Sequence, residues 1–328
     1  MSLQCAGGSY PLLNFLGSGN LALLDLEMAN CRGSRLANGL TGRAVLAGVS
    51  VSLVANGVQF MNNSAETNFT VDYACGGAVR ADGPSAFANC TFAHNSITVH
   101  PPAISGRGGA LCTGSVTAVT NCTFFYNSVG MASTAAEVLQ DGEGGAFYWP
   151  SILYKREPSD LVQLAFIDCN FTANAIGGTG GQATGGAVSL SSAGIYGRPS
   201  VSFDNCTFAS NTAAGSNFSS SEVSKPPGDA GGGAIAVVPA TVQESSSVAY
   251  LRGCTFVSNV ARAGHAGWGG LGNGGAGTFA QTALRIESCV FAGNQAYGGR
   301  RESQDEGTEE DRGDAAHLAR VPAKVTEK

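Results

Sequence analysis

Ten cysteines, 24 acidic residues and four histidines are the residues of this 328-residue chain that could do chemistry, and only the cysteines recur in a fixed pattern. Six of them stand in the motif Cys-x-Phe-x-x-Asn, and residues 58–63 are a seventh copy with Val in the Cys position. Cysteines repeated in this way could form disulfides, bind a metal or pack as free thiols. The motif residues are Cys90, Phe92, Asn95, Cys122, Phe124, Asn127, Cys169, Phe171, Asn174, Cys206, Phe208, Asn211, Cys254, Phe256, Asn259, Cys289, Phe291 and Asn294.

A second motif, Gly-Gly-Ala, alternates with the first along most of the chain. Its copies are residues 76–78, 108–110, 144–146, 185–187, 232–234 and 274–276. Two motifs in fixed alternation predict one structural unit repeated many times. Successive motif cysteines are 32 to 48 residues apart, and the length varies only after the Asn and after Gly-Gly-Ala. Loops should therefore leave a constant scaffold at two places in each unit.

The elements that position the motif residues are short β-strands. In residues 119–124, apolar Cys122 and Phe124 are separated by polar Thr123, which is the period of two of a half-buried strand. The 47 glycines and the β-branched residues disfavour helices. We predict an all-β fold, a parallel β-helix (solenoid) of about seven coils, with coils about 4.8 Å apart and Cys, Phe and Asn each stacked on their counterparts.

Three regions follow from this repeat. Residues 1–41 are predicted to be degenerate coils or a cap: Asn30-Cys31 looks like the Asn-Cys of the repeats, and Gly42-Arg-Ala-Val45 just after looks like Gly-Gly-Ala-Val. Residues 42–299 are the β-helix repeats. Residues 300–328 hold six Lys/Arg and eight Asp/Glu without an aromatic residue, which predicts a charged, disordered tail.

The composition argues against nucleic acid as a partner and favours an extracellular or cell-surface location. Charged residues make up 13% of the chain, its net charge is -6, and no basic patch occurs, so nucleic acid is not expected as a partner. The sequence contains no run of about 18 apolar residues, so no membrane-spanning helix is predicted. The ten cysteines and seven Asn-x-Ser/Thr sequons favour an extracellular or cell-surface location. The first residues do not resemble the signal peptide that such a location requires, so we expect the chain to be a piece of a longer protein. The sequon asparagines are Asn62, Asn68, Asn89, Asn121, Asn170, Asn205 and Asn217.

The redox state of the six motif cysteines is open at this stage. Stacked coils would bring neighbouring Cα atoms within reach of a disulfide, but parallel Cβ directions make the required dihedral angle hard to adopt. Buried free cysteines pack as small apolar residues. We expect mainly free thiols, with disulfides as the alternative. Because the chain has no Cys-x-x-Cys and its histidines are scattered, we expect no metal and no cofactor.

The acidic residues bear on whether the chain is an enzyme, because sugar-cleaving sites need converging carboxylates. Asp168 lies one residue before Cys169 and Asp204 lies two before Cys206, so they should fall in different rows. We therefore expect no catalytic residues. Loop positions without an ordered partner are predicted for Asp72, Asp82, Asp141 and Glu143, and isolated surface positions for His94, His100 and His265. Tyr148 and Trp149 should pack, with a sugar-stacking surface as the alternative.

The Gly-Gly-Ala-(Val/Leu/Ile) and Phe-x-x-Asn motifs together resemble the repeats of the chlamydial polymorphic outer-membrane protein family. The matching copies begin at Gly76, Gly108, Gly185 and Gly232, and the resemblance covers roughly residues 42–299. It implies a right-handed parallel β-helix of the pectin-lyase-like fold. It also implies a surface-exposed segment linked to adhesion.

The functional expectation is a non-enzymatic surface or secreted scaffold that presents loops for adhesion or for binding glycans or host and cell-surface proteins. One alternative is a carbohydrate-active enzyme, a polysaccharide lyase or hydrolase. Another is a structural component of a cell wall or matrix. Converging carboxylates in one groove would favour the enzyme, whereas an exposed aromatic or Asn/Ser row would favour binding.

Overall fold

The structure is a computed structural model, and it describes residues 1–5, 11–34, 42–67, 74–100, 103, 105–131, 141–150, 163–177, 181–192, 200–215, 228–239, 247–264, 271–280 and 282–298. Within these residues it contains 39 strands and no helix. The strands form five long sheets in which neighbouring strands run parallel. The predicted all-β, parallel β-helix fold is therefore confirmed. The predicted tail at 300–328, and with it Asp72, His265, Asn68 and Asn217, lies outside the described residues.

One coil passes through five sheets in turn, which are numbered here in that order. Sheet 1 consists of Ala74–Cys75, Ser105–Arg107, Asp141–Glu143, Ala183–Thr184, Ala230–Gly231 and Gly272–Asn273. Sheet 2 consists of Leu13–Phe15, Val45–Ala47, Val79–Ala81, Leu111–Thr113, Phe147–Pro150, Val188–Ser192, Ile235–Pro239 and Gly277–Phe279. Sheet 3 consists of Gly19–Leu24, Val51–Asn56, Ser85–Ala88, Thr117–Thr120, Gln163–Ile167, Ser200–Asp204, Ser247–Arg252 and Thr282–Glu287.

The Cys and the Asn of the Cys-x-Phe-x-x-Asn motif lie directly before the strands of sheets 4 and 5, and the Phe lies within sheet 4. Sheet 4 consists of Ser2–Gln4, Glu27–Ala29, Gln59–Met61, Thr91–Ala93, Thr123–Phe125, Asn170–Thr172, Thr207–Ala209, Thr255–Val257 and Val290–Ala292. Sheet 5 consists of Arg32–Ser34, Ser64–Thr67, Ser96–Val99, Ser128–Met131, Ala175–Gly177, Thr212–Ala214, Val260–Arg262 and Gln295–Tyr297.

The register is constant from coil to coil, so equivalent residues stack in rows that we call ladders. Phe92 pairs with Phe60 on one side and with Phe124 on the other. The same register extends to the start of the chain, where Glu27–Ala29 pairs with Gln59–Met61. The strands of residues 2–34 therefore add coils to the same sheets.

The alignment suggested by Asn30-Cys31 is wrong. The register places Asp25-Leu26, not Asn30-Cys31, opposite the Asn-Cys pairs, because Glu27 pairs with Gln59 and Gln59 with Thr91. Cys31 occupies the ladder position of the motif Asn, and its backbone N–H donates to Oδ1 of Asn63 at 3.0 Å. Two adjacent residue types did not contain enough information to set the register.

The core is divided between two parts of the coil. Sheets 2, 3 and 4 enclose the main core, in which Phe147, Phe166 and Phe171 are among the buried aromatic residues. Sheets 5 and 1 pack against each other through smaller apolar groups, of which Ile97 and Ala74 are typical. We call this two-layered part the flap.

Three sharp bends per coil use left-handed backbone conformations. Gly76, the first glycine of its Gly-Gly-Ala, has φ of 77°, and a Cβ on Gly77 would clash with the carbonyl oxygens of Gly109 and Ser96. The first glycine is therefore required for its positive φ, and the second for close packing of the backbones. The other bends lie directly before the Cys and Asn ladder positions, for example at Asn89 (φ 52°) and His94 (φ 54°). They separate sheet 3 from sheet 4 and sheet 4 from sheet 5.

Candidate functional site

The phenylalanine ladder is part of the main core. Successive rings lie parallel with centroids 4.6 to 4.9 Å apart, and the interior ones are fully buried. Phe291 ends the ladder and is 48% exposed. The stacked rings are Phe60, Phe92, Phe124, Phe171, Phe208, Phe256 and Phe291. This row is inaccessible to a ligand along its interior and acts in stability.

The asparagine ladder is a buried chain of amide hydrogen bonds. In each interior coil, Nδ2 donates to Oδ1 of the next ladder Asn and to the carbonyl of the ladder Phe in the preceding coil. Asn127, for example, donates to Asn174 at 3.0 Å and to Phe92 at 2.9 Å. Oδ1 of Asn174 also accepts the backbone N–H of Asn127 at 3.1 Å. These side chains have their hydrogen-bonding capacity used within the protein, so they too are structural.

The six motif cysteines are free thiols. Five are buried, and each donates Sγ–H to carbonyl groups, as Cys90 does to Ala88 at 3.2 Å. Stacked free thiols are therefore what the structure shows for this ladder. Disulfides do occur elsewhere: Cys5 bonds to Cys31, and Cys75 to Cys112.

The sequence analysis did not assign the two disulfides, although four cysteines remain outside the motif. An even remainder in a chain with a secretory composition was the available signal. Cys75 ends a strand of sheet 1, and Cys112 lies in sheet 2 one coil later, so this disulfide joins the flap to the body.

A charged cluster lies next to that disulfide, between the outer faces of sheets 1 and 2. Arg107 Nη2 lies 3.2 Å from Glu143 Oε1, and the guanidinium lies over the ring of Tyr148. Burial raises the pKa of Glu143 above its ordinary value, although Arg107 opposes the shift. Burial, followed by the charge of Glu143, also raises the pKa of Tyr148. The cluster therefore holds a carboxyl group with an elevated proton affinity beside an arginine and a phenol.

The predicted loop positions of several acidic residues are corrected by these contacts. Asp141 and Glu143 belong to a strand of sheet 1, and Glu143 pairs with Arg107. Asp82 lies 2.9 Å from Nε of Arg80. The prediction of unpartnered loop positions was wrong for Glu143 because the Gly-Gly-Ala register was not applied to it: Arg107 and Glu143 both directly precede Gly-Gly-Ala and pair across neighbouring coils. It was wrong for Asp82 because Arg80, two residues earlier in the same coil, is its partner.

Asp168 and Asp204 fall in different ladders, as their spacing indicated. Asp168 Oδ1 accepts Nδ2 of Asn205 at 3.3 Å, whereas Asp204 faces Arg252 at 3.7 Å. Arg252 also lies 3.4 Å from Glu287. Within the described ranges, no two acidic residues occupy neighbouring positions of one ladder.

An exposed amide ladder follows the bend between sheets 3 and 4. Asn121 Nδ2 donates to Oδ1 of Asn89 at 2.7 Å. Asn89 donates to Oδ1 of Asn56 at 2.8 Å, although Asn56 pairs with Ala88 and so lies one position before the ladder. All three side chains are exposed, as is that of Asn205 further along the same edge. Asn89, Asn121 and Asn205 are also sequon residues.

An exposed aromatic corner lies at the bend between sheets 4 and 5. The rings of His94 and Tyr126 are stacked, with centroids 5.2 Å apart and planes 10° apart, and Phe125 meets both rings edge-on. Tyr126 is 58% exposed. His94 is on the surface as expected, but it is not isolated: it belongs to a row of aromatic rings. This corner was not predicted from the sequence, although Phe125-Tyr126 beside a motif Phe was the available signal.

Tyr148 and Trp149 are buried, which excludes the alternative that they form a sugar-stacking surface. Trp149 lies in the main core, and its Nε1–H donates to the carbonyl of Ser115 at 3.3 Å. His100 is half-buried.

Metal sites, membrane helices and similarity to known proteins were also considered for this chain. Among the described residues, no group of three or more His, Cys, Asp or Glu is arranged to hold a metal ion. The described part of the chain also contains no helix of the length and hydropathy required to cross a membrane. In comparisons with known proteins, no family model, curated protein or solved structure matches the chain. The resemblance to the chlamydial repeat family thus stays a prediction.

Proposed function

We propose that this chain is a secreted or surface-exposed β-helix scaffold that binds glycans or cell-surface proteins without chemical turnover. The observation that carries the proposal is the exposed aromatic corner of His94, Phe125 and Tyr126, which runs parallel to the exposed amide ladder of Asn89 and Asn121. Large aromatic rings contribute most to binding surfaces, and amides supply directed hydrogen bonds.

The rigidity of the coil supports this role. The aromatic corner lies at the ends of strands that are hydrogen-bonded to coils on both sides, and the buried ladders of Phe124 and Asn127 lie directly beneath it. A ligand meeting this surface would order few additional side chains, which lowers the entropic cost of binding.

Cysteine chemistry and sequon exposure support an extracellular setting. The Cys5–Cys31 and Cys75–Cys112 disulfides form and persist in oxidising compartments. The described sequon residues Asn62, Asn89, Asn121, Asn170 and Asn205 are all exposed. Of these, Asn62 and Asn205 lie outside the proposed binding surface and are suited to carry glycans in a glycoprotein. The proposed right-handed, pectin-lyase-like form of the helix, and the link to adhesion, rest on the resemblance of the repeats.

The charged cluster favours a second candidate, a carbohydrate-active enzyme. A carboxyl group with a raised pKa beside Arg107 and Tyr148 is the kind of environment in which enzymes hold a general acid or base. Incubation with pectate, alginate and related uronates, with and without Ca²⁺, tests this candidate. Turnover that is lost in Glu143→Gln, or in the Asp168 or Asp204 variants, would replace the binding proposal by the enzyme.

The binding proposal is tested by presenting the full chain to a glycan array and to intact cells. Saturable binding to a defined glycan or a cell-surface protein is expected. Binding should fall when His94, Phe125 and Tyr126 are replaced together by Ser, and should persist when the distant exposed Tyr250 is replaced. Absence of saturable binding together with self-association into fibres or sheets would contradict the proposal and favour a structural component of a wall or matrix.

A further inference from the structure

The two faces of the Tyr126 ring differ. One face is covered by His94, which lies at the equivalent position one coil earlier. On the other side, the next coil places Ala173 at the same position: the backbone N–H of Tyr126 bonds to the carbonyl of Thr172, directly before Ala173. The aromatic row therefore stops at Tyr126, and the following positions are the small residues Ala173 and Ser210.

The gap above Tyr126 has the spacing of one more ring. Aromatic rings on neighbouring coils of this molecule lie 4.6 to 5.2 Å apart, both in the core ladder and between His94 and Tyr126. At Ala173 the coil spacing continues but no ring is present. A flat six-membered ring of a ligand would fit where the next side chain of the row would have been.

Tyr126 is also held in a conformation that its residue type disfavours. Its φ is 53°, in the left-handed region that bulky residues rarely adopt. The equivalent positions in later coils hold Ser210, Ser258 and Gly293. This bend recurs in every coil before the ladder Asn, so it orients the Tyr126 side chain in the same way as that of His94.

Of the residues that the structure describes at this bend, Thr172 and Ser210 bear hydroxyl groups, and neither they nor Ala173 bear a charged group. Thr172 pairs with Phe125 across the two coils, and its hydroxyl is hydrogen-bonded to Oδ1 of the exposed Asn170 at 2.7 Å. Ser210, one coil beyond Ala173, is exposed. Hydroxyl and amide groups beside an open aromatic face match a neutral sugar, whose C–H groups contact the negative π face while its hydroxyls form hydrogen bonds at the edge.

We propose that the space bounded by Tyr126, Ala173 and Thr172 is a subsite for one neutral pyranose ring of an external glycan. A ring with equatorial substituents, as in β-linked glucose or N-acetylglucosamine, exposes its axial C–H groups to Tyr126. This inference rests on the proposed binding function and names the place and the class of its ligand.

The test uses the full chain produced in bacteria, so that no N-glycan on Asn170 occupies the subsite. Binding of cellotetraose and N-acetylchitotetraose is measured by calorimetry, and saturation-transfer NMR identifies which sugar protons contact the protein. We expect binding with the strongest transfer to axial C–H protons. Tyr126→Ala should weaken it by at least about tenfold.

Two further variants separate the subsite from a general effect on the fold. Ala173→Tyr supplies the missing ring from the protein itself, so it should abolish sugar binding while leaving the thermal unfolding midpoint at or above that of the wild type. Tyr250→Ala removes another exposed tyrosine, in sheet 3, and should leave the affinity unchanged.

The opposite results would overturn the subsite. They are unchanged affinity in Tyr126→Ala, retained affinity in a folded Ala173→Tyr variant, or no binding of either tetrasaccharide by the wild type at millimolar concentration. In each of these cases, saturable binding of another glycan or of a protein in the array and cell experiments would leave the proposed scaffold function standing. The failure of the subsite and the failure of the function are therefore distinguishable.

Discussion

The side-chain amide of Asn174 donates to Oδ1 of Asn211 at 3.0 Å, one coil further along the helix axis. The same Nδ2 donates to the carbonyl of Phe124 at 2.9 Å, while Oδ1 accepts two hydrogen bonds from Asn127. One buried side chain thus links three successive coils. Every polar atom of that amide is paired, so its chemistry cannot be altered without a loss of hydrogen bonds.

Replacing Asn174 by Asp should destabilise the protein by more than about 3 kcal/mol at neutral pH, because a buried carboxylate would face the acceptor oxygens of Phe124 and Asn211. Chemical denaturation measures the change. Burial would raise the pKa of the new carboxyl group, so the loss should shrink as the pH falls and the group becomes protonated.

The matched control for that variant is Asn89→Asp. Asn89 also belongs to an amide ladder, but its side chain is exposed, so the charge stays hydrated and the loss should be below about 1 kcal/mol. Equal unfolding midpoints for Asn174→Asp and the wild type at neutral pH would show that the buried ladder does not contribute as described.

Truncating Phe171 to Ala should reduce the free energy of unfolding by about 3–5 kcal/mol. The ring stacks between Phe124 at 4.7 Å and Phe208 at 4.9 Å and is fully buried, so the change removes two stacking contacts and leaves a cavity. Phe291→Ala is the comparison, since that ring has one stacked neighbour and is 48% exposed. Its loss should be less than half as large, and a loss below about 0.5 kcal/mol for Phe171→Ala would refute the role of the ladder.

The pH dependence of stability should contain a contribution from Glu143. Its pKa is raised in the folded state above the ordinary value of 4.5, mainly by burial, so the folded protein holds this proton more tightly than the unfolded chain. The contribution to stability is complete below the ordinary value and is lost as the pH rises through the raised folded value. In Glu143→Gln this loss is absent.

Unfolding midpoints of the wild type and Glu143→Gln, measured from pH 4 to pH 8, check this sign. The variant should gain stability relative to the wild type as the pH rises. Glu287→Gln is the control, because that carboxylate is paired with Arg252 near the surface. Parallel profiles for the wild type and Glu143→Gln would contradict the assignment.

Thiol chemistry should separate the ten cysteines into three groups. In the native protein, Cys289 should react first with an alkylating reagent because, among the free cysteines that the structure describes, it is partly exposed while the other five are buried. Denaturation without reductant should expose six thiols, and reduction should release four more. Peptide mapping that finds a disulfide within the motif ladder, or an alkylated Cys75 or Cys112 before reduction, would contradict this arrangement.

The sequence by itself determined the architecture. Alternating Gly-Gly-Ala and Cys-x-Phe-x-x-Asn motifs predicted parallel stacked coils, because a strand such as Thr123–Phe125 can bury one face only by pairing with equivalent strands above and below. The separation of Asp168 from Asp204 followed from the same counting, since register in a solenoid is set by distance from the repeated residues.

Only the tertiary structure determined the contacts between different sheets of the coils. The repeat could not show that sheets 5 and 1 pack together as a flap, and so it could not pair Cys75 with Cys112, which lie in different sheets of neighbouring coils. Register was sufficient to place His94 and Tyr126 on neighbouring coils, because each directly precedes a ladder Asn, but only the structure shows that both side chains are exposed at the bend. Local patterns specify strands and register, whereas contacts across a bend depend on the angle at which two sheets meet.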